Sequence, residues 1–182
     1  MANYRRAIAP GGTFFFTVVT YRRKSIFDQP ESRKILREVV QEVREQYPFI
    51  IDAWVLLPEH MHCIWTLPQE SSNFSIRWNR IKSGFSKKAG SVYHLEEWMN
   101  DSKRKHRAAT IWQRRFWEHQ IRNDREYQVY MDYTHFNPVK HGLVEMVIDW
   151  PYSSFHRYVR LGIYPEQWGG TTDRSSEYRF GE

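Results

Sequence analysis

His60 and His62 stand two apart in residues 57–65, LPEHMHCIW, where a buried strand would ordinarily carry valine or isoleucine. On a strand, residues two apart project from one face, so the two imidazoles point together while Met61 and Cys63 point the other way. Two imidazoles on one face offer nitrogens to a single divalent metal, with Met61 anchoring the strand in the core. For one histidine the plainer reading is a hydrogen-bonded residue on a half-buried face; for a same-face pair, metal binding is at least as well supported. A metal that does chemistry normally has a third protein ligand and an open position. Tyr133 and Asn137, four apart, share a helix face, which would bring an amide oxygen and a phenol to successive turns. On spacing alone the plainer reading is favoured, with Tyr133 in the core and Asn137 ending its helix before Pro138.

The elements that must carry these side chains follow from hydrophobic period and punctuation. Residues 13–21, TFFFTVVTY, are β-branched and aromatic and predict a first strand. Over residues 31–47, Ile35, Leu36, Val39, Val40 and Val43 recur at helical spacing until Pro48 stops the pattern. Residues 49–57 and 60–67 predict two antiparallel strands joined through Pro58-Glu59. Residues 73–89 predict a helix with Phe74, Trp78, Ile81 and Phe85 in one stripe. The polar stretch from about 90 to 110 is expected to be a basic surface insertion. Residues 111–121 predict a further strand, and residues 124–136 a helix capped by Asn123 or Asp124 and ended at Asn137-Pro138. Strand, helix, strand, strand, helix, strand is the order of a ferredoxin-like α+β fold: an antiparallel sheet with helices on one face and the third helix free for the other. The expected organisation is one domain over residues 1–150 and an irregular tail, residues 151–182, packed on it.

Composition bounds the function. Eight Trp, eleven Tyr and eleven Phe give the chain ample apolar surface to fold. A net charge of +6 and a pI near 9.5 favour an anionic partner. Basic and aromatic residues are interleaved, as in Arg77-Trp78-Asn79-Arg80 and at 112–117, WQRRFW, which suits nucleic acid. Cys63 is the single cysteine, so neither an intrachain disulfide nor a CxxC zinc site can form. Nothing at the start has the apolar core of a signal peptide, and no apolar run reaches membrane-spanning length, so a cytoplasmic protein is expected.

LPEHMHCIW at 57–65, WQRRFWEH at 112–119 and DYTHFNPVKHG at 132–142 together closely resemble the REP-associated tyrosine transposases, a branch of the HUH single-strand nucleases related to the IS200/IS605 transposases. The opening NYRRAIAPGGTFFFTV and the late DWPYSSFHRYV are similar to that family too, so the resemblance runs from about residue 3 to about residue 170. It implies that His60 and His62 are the histidines of the HUH motif, Asn137 the third metal ligand and Tyr133 the nucleophile. It further implies cleavage of single-stranded DNA through a covalent 5′-phosphotyrosine that leaves a free 3′-hydroxyl, at REP hairpins beside a short tetranucleotide. A neutral set of two imidazoles and one amide suits Mg²⁺ or Mn²⁺ supplied with the substrate. Glu59, Asp132 and His135 are sequence neighbours from which a general base is to be sought.

Arg5, Arg6, Arg22, Arg23, Lys82, Lys87 and Lys88 are the expected phosphate contacts, with Trp78 or Trp112 as base-stacking platforms. The family branch implies a monomer, with a dimer as the other possibility, associated with the nucleoid when bound to DNA. Two other functions fit the same residues: a non-catalytic REP DNA-binding or regulatory protein, and a hydrolytic metallonuclease in which water attacks.

Overall fold

A computed structural model describes residues 9–106 and 108–170. Four antiparallel strands, β1 (Thr13–Val19), β2 (Ile50–Leu56), β3 (His60–Thr66) and β4 (Trp117–Ile121), form one sheet in the order β2-β3-β1-β4. That is the ferredoxin-like order expected from the element sequence. The helices are α1 (Pro30–Gln46), α2 (Phe74–Tyr93), α3 (Asp101–Lys105), α4 (Asp124–Lys140) and α5 (Phe155–Arg160).

The period of two in β1 divides the molecule into two layers. Phe14, Phe16 and Val18 lie opposite Trp65, Cys63 and Met61 of β3 and join α1 and α2 in the main core. Phe15 and Thr17 lie opposite Ile64 and His62, on the face that α4 covers through Met131 and Tyr133. The two histidines therefore project into the α4 layer, away from the main core.

Several boundaries differ from the sequence expectation, each for a packing reason. The second helix runs four residues further, to Tyr93, because Ala89 and Tyr93 continue its buried stripe. The stretch from 90 to 110 is not simply a surface excursion. Thr110 is buried and bonds to His94 and Leu95, and Lys103 is buried with its ammonium on the carbonyl of Ala109 and over the Tyr21 ring. β4 begins at Trp117 rather than 111, since Ile111 and Trp112 turn into the main core and leave a single bridge from Thr20 to Trp112.

α4 does not stop at Asn137 but passes through Pro138 to Lys140. Proline's fixed φ is helical, and its cost is confined to one missing donor and crowding one turn back. Burial of the apolar Pro138 and Val139 offsets that cost. The tail after 150 is also more ordered than expected through residue 170, because α5 and Tyr164 pack with Val139 and Val147 in a third apolar cluster. Tyr152 and Ser154 exchange backbone bonds with Leu56 and Trp54, which covers part of the exposed edge of β2. Residues 171–182 lie outside the described residues. Among the described residues, no helix is long and apolar enough to cross a membrane.

Candidate active site

His60 and His62 are both buried, and their rings meet edge to face with centroids 4.9 Å apart. Each has one nitrogen engaged. Nδ1 of His60 lies 3.0 Å from Oε1 of Glu59, whose carboxyl is held below the usual range chiefly by that hydrogen bond. An ionised carboxylate can only accept, so Nδ1 carries the proton and the lone pair of Nε2 is left for another partner. Nδ1 of His62 lies 2.9 Å from the Thr17 hydroxyl, across the β1–β3 ladder. Nε2 of His62 is buried with no hydrogen-bond partner.

α4 supplies the rest. Asn123 caps its start by accepting from the backbone of Glu126, and the helix then lays one stripe, Tyr133, Asn137, Lys140 and His141, along the histidine pair. The Tyr133 ring packs edge-on to His62 at 5.1 Å and to Phe15 at 5.7 Å. Lys140 places its ammonium 4.9 Å from the centre of the Tyr133 ring, and the His141 ring is 5.1 Å from that of His60. Asn137 is fully buried, and neither its amide oxygen nor its amide nitrogen completes a hydrogen bond.

Burial pushes the pKa of His62 well down, with the charge of Lys140 acting in the same direction and the nearby Asn137 amide opposing in part. A neutral imidazole with a bare Nε2, facing an amide with a bare oxygen, has the donor chemistry of a cation site. Buried polar atoms are left unpaired only rarely, and here three of them share one place. Among the described residues, no group of three or more His, Cys, Asp or Glu side chains is arranged to hold a metal ion by itself.

The other expected residues divide sharply. Of the three neighbours considered as bases, only Glu59 reaches the site, through His60. Asp132 accepts from Gln128 and Tyr164, while His135 contacts Ser154 and the rings of Phe155 and Tyr158 and is pushed down to about 3 by burial. Both tie α4 to the tail. Trp78 is not a stacking platform: it is fully buried, lying parallel to Trp65 with centroids 4.2 Å apart. Trp112 is buried as well. Lys88 is paired with Glu42 at 2.6 Å and Glu38 at 3.8 Å, linking α2 to α1.

Arg22 and Arg23 occupy left-handed backbone (φ 55° and 51°) just past the end of β1, where Arg23 reaches Glu59 at 3.5 Å and Arg22 lies over Trp98. Lys82 and Lys87 line a groove of about 880 Å³ between α2 and the segment before β4, together with Asn79, Lys103 and Arg114. Within it, Lys82 donates to the carbonyls of Gln113 and Arg114. Arg5 and Arg6 lie outside the described residues. Sequence reasoning missed Thr17, Lys140 and His141. The last two fall on the Tyr133–Asn137 stripe once the helix is continued past Pro138, so the signal was present and the proline concealed it.

Residues 13–136 match the family model described as IS200-like transposase. The chain belongs to the IS200-like transposase family. Among its relatives in this transposase family is the REP-associated tyrosine transposase of Escherichia coli strain K12, 45% identical over 180 residues that span 98% of each chain. A Haemophilus influenzae relative is 42% identical over 180 residues, covering 95% of this chain and 96% of its own length. A solved structure of a REP-associated tyrosine transposase bound to a REP hairpin superposes with a TM-score of 0.80 at 44% identity, covering all of this chain and 98% of the other. The resemblance read from the three motifs is borne out, as is the α+β fold, and the chain is a transposase of this enzyme family.

Proposed function

We propose that this transposase cleaves and rejoins single-stranded DNA beside REP hairpins, with Tyr133 as nucleophile and His60, His62 and Asn137 holding a divalent cation, Mg²⁺ or Mn²⁺. The observation that carries the reading is the bare Nε2 of His62 facing the bare amide of Asn137, one turn from Tyr133 and against its ring. When bound, the cation would polarise a phosphate oxygen and lower its resistance to an incoming nucleophile. A relative bound to a REP hairpin, at 44% identity over the whole chain, supports the substrate class.

The protein's own part is to position and to manage charge. The phenolic oxygen of Tyr133 attacks phosphorus, the bond to the 3′-oxygen breaks, the phenol gives up its proton and the departing oxygen takes one. A 5′-phosphotyrosine and a free 3′-hydroxyl result. Lys140 sets a positive charge over the Tyr133 ring, which favours loss of the phenol proton as the oxygen attacks. Because the phosphate passes to Tyr133 rather than to water, its ester bond is kept, and attack by a 3′-hydroxyl on the phosphotyrosine rejoins a strand without ATP.

Tyr133→Phe tests this directly. With a labelled single strand carrying a REP hairpin, the wild type is expected to give a covalent protein–DNA species on a denaturing gel, and the variant none, while both bind the hairpin alike. Adduct persisting in the variant rejects Tyr133 as nucleophile. A free 5′-phosphate product without adduct from the wild type would instead assign the attack to water.

A further inference from the structure

With Trp78 and Trp112 buried, the ring that receives a base must lie elsewhere. Among the described residues Trp117 is the one Phe, Tyr or Trp side chain left exposed, at 48%. It opens β4, an edge strand of the sheet, directly after the exposed Arg114 and Arg115 and the half-buried Phe116.

Its register is what gives the exposure meaning. Thr17 of β1 lies opposite Trp117 on one side and opposite His62 on the other, so Trp117 and His62 share a rung and a face of the sheet. Two strand spacings separate them, about 10 Å. Between them stands Phe15, edge-on to Trp117 at 5.6 Å and stacked on His62 at 5.5 Å. Phe15 braces the indole from the protein side, and His119 lies parallel to it at 5.9 Å. A braced ring, one flank open, beside cationic side chains and one rung from the histidine pair is suited to an unpaired nucleobase, whose faces are free as those of a paired base are not.

The structure assigns Trp117 as the stacking platform for an unpaired base of a nucleotide next to the reacting phosphate. The assignment rests on the function proposed above, since it takes the histidine pair as the place where the phosphate is held. A core role for Trp117 is at odds with its exposure, and a role confined to phosphate contact would not need a ring.

The test uses the full chain and a REP hairpin oligonucleotide with single-stranded flanks in which 2-aminopurine replaces one base at a time. The wild type is expected to quench the probe at one flanking position. Trp117→Leu should abolish that quenching and weaken binding about 5- to 150-fold, the range for one base stacked on an aromatic ring. Trp117→Phe should recover much of both. Removing the base at that position should weaken the wild type and leave Trp117→Leu unaffected, which a merely structural tryptophan would not produce. Equal binding and equal quenching by Trp117→Leu would overturn the assignment. So would absence of quenching at every flanking position by a wild type that still forms the Tyr133 adduct, and that outcome leaves the proposed function standing. A wild type that neither binds nor cleaves the oligonucleotide removes both.

Discussion

Thr17 governs which nitrogen of His62 faces Asn137. Its hydroxyl takes Nδ1 at 2.9 Å, and a ring nitrogen committed in this way leaves the other free and fixes the plane of the ring. Thr17→Val keeps the shape and removes the hydroxyl. Titration with Mn²⁺ should then show affinity reduced about 10- to 100-fold, the usual effect of losing a partner that orients a ligand. Thermal unfolding should show a loss of about 1–3 kcal/mol from the orphaned Nδ1. Thr17→Ser should restore both, and manganese binding unchanged in the valine variant would deny Thr17 an orienting role. Residue chemistry of this kind was only partly legible in the sequence. The His60–His62 spacing declared a shared face, because period two in a strand admits no other outcome. Trp78 was also declared, since it falls in the stripe of Phe74, Ile81 and Phe85, and that stripe is core. Treating it as a base platform set local composition above period. Thr17 gave no signal, because its partner is 45 residues away and only strand pairing brings them together.

At the scale of elements, the site depends on how closely each layer is held. α1 and α2 cross at Gly84, where a Cβ would stand 2.9 Å from Cγ1 of Val39, a stiff and fully buried side chain. In an open helix, replacing glycine by alanine gains about 1 kcal/mol. Here the added methyl must push the helices apart, and overpacking of this sort costs about 1–3 kcal/mol. Gly84→Ala is therefore expected to lower thermal stability, measured by calorimetry, and a raised melting temperature would show the crossing to be looser than the distances imply. On the other layer, α4 was legible as a helix from its Asn123 cap and misread at its end. The residue before a proline is biased away from helix, and that bias is real in isolated peptides. Tertiary burial of Pro138 and Val139 overrides it, which places Lys140 and His141 in the site. Element order, by contrast, sufficed for the fold, because the order of the four strands and the helices between them survives an error of several residues at a boundary.

For the whole molecule the governing quantity is charge. The chain carries +6, yet its cations are not equivalent: Lys88 is paired with two glutamates, whereas Lys87 is exposed and lines the α2 groove. Sequence composition gave the sum and could not sort the cations, since pairing across helices is fixed only by the fold. Binding of a single-stranded flank should weaken linearly in log affinity against log salt, with a slope of about −0.7 for each phosphate neutralised. If Lys87 contacts a phosphate, Lys87→Met reduces the slope by about one such step and weakens REP and unrelated hairpins by the same factor. Trp117→Leu, which alters stacking and not charge, should leave the slope where it was. Fluorescence anisotropy at several salt concentrations measures all three proteins. A slope unchanged by Lys87→Met would remove Lys87 from the phosphate contacts.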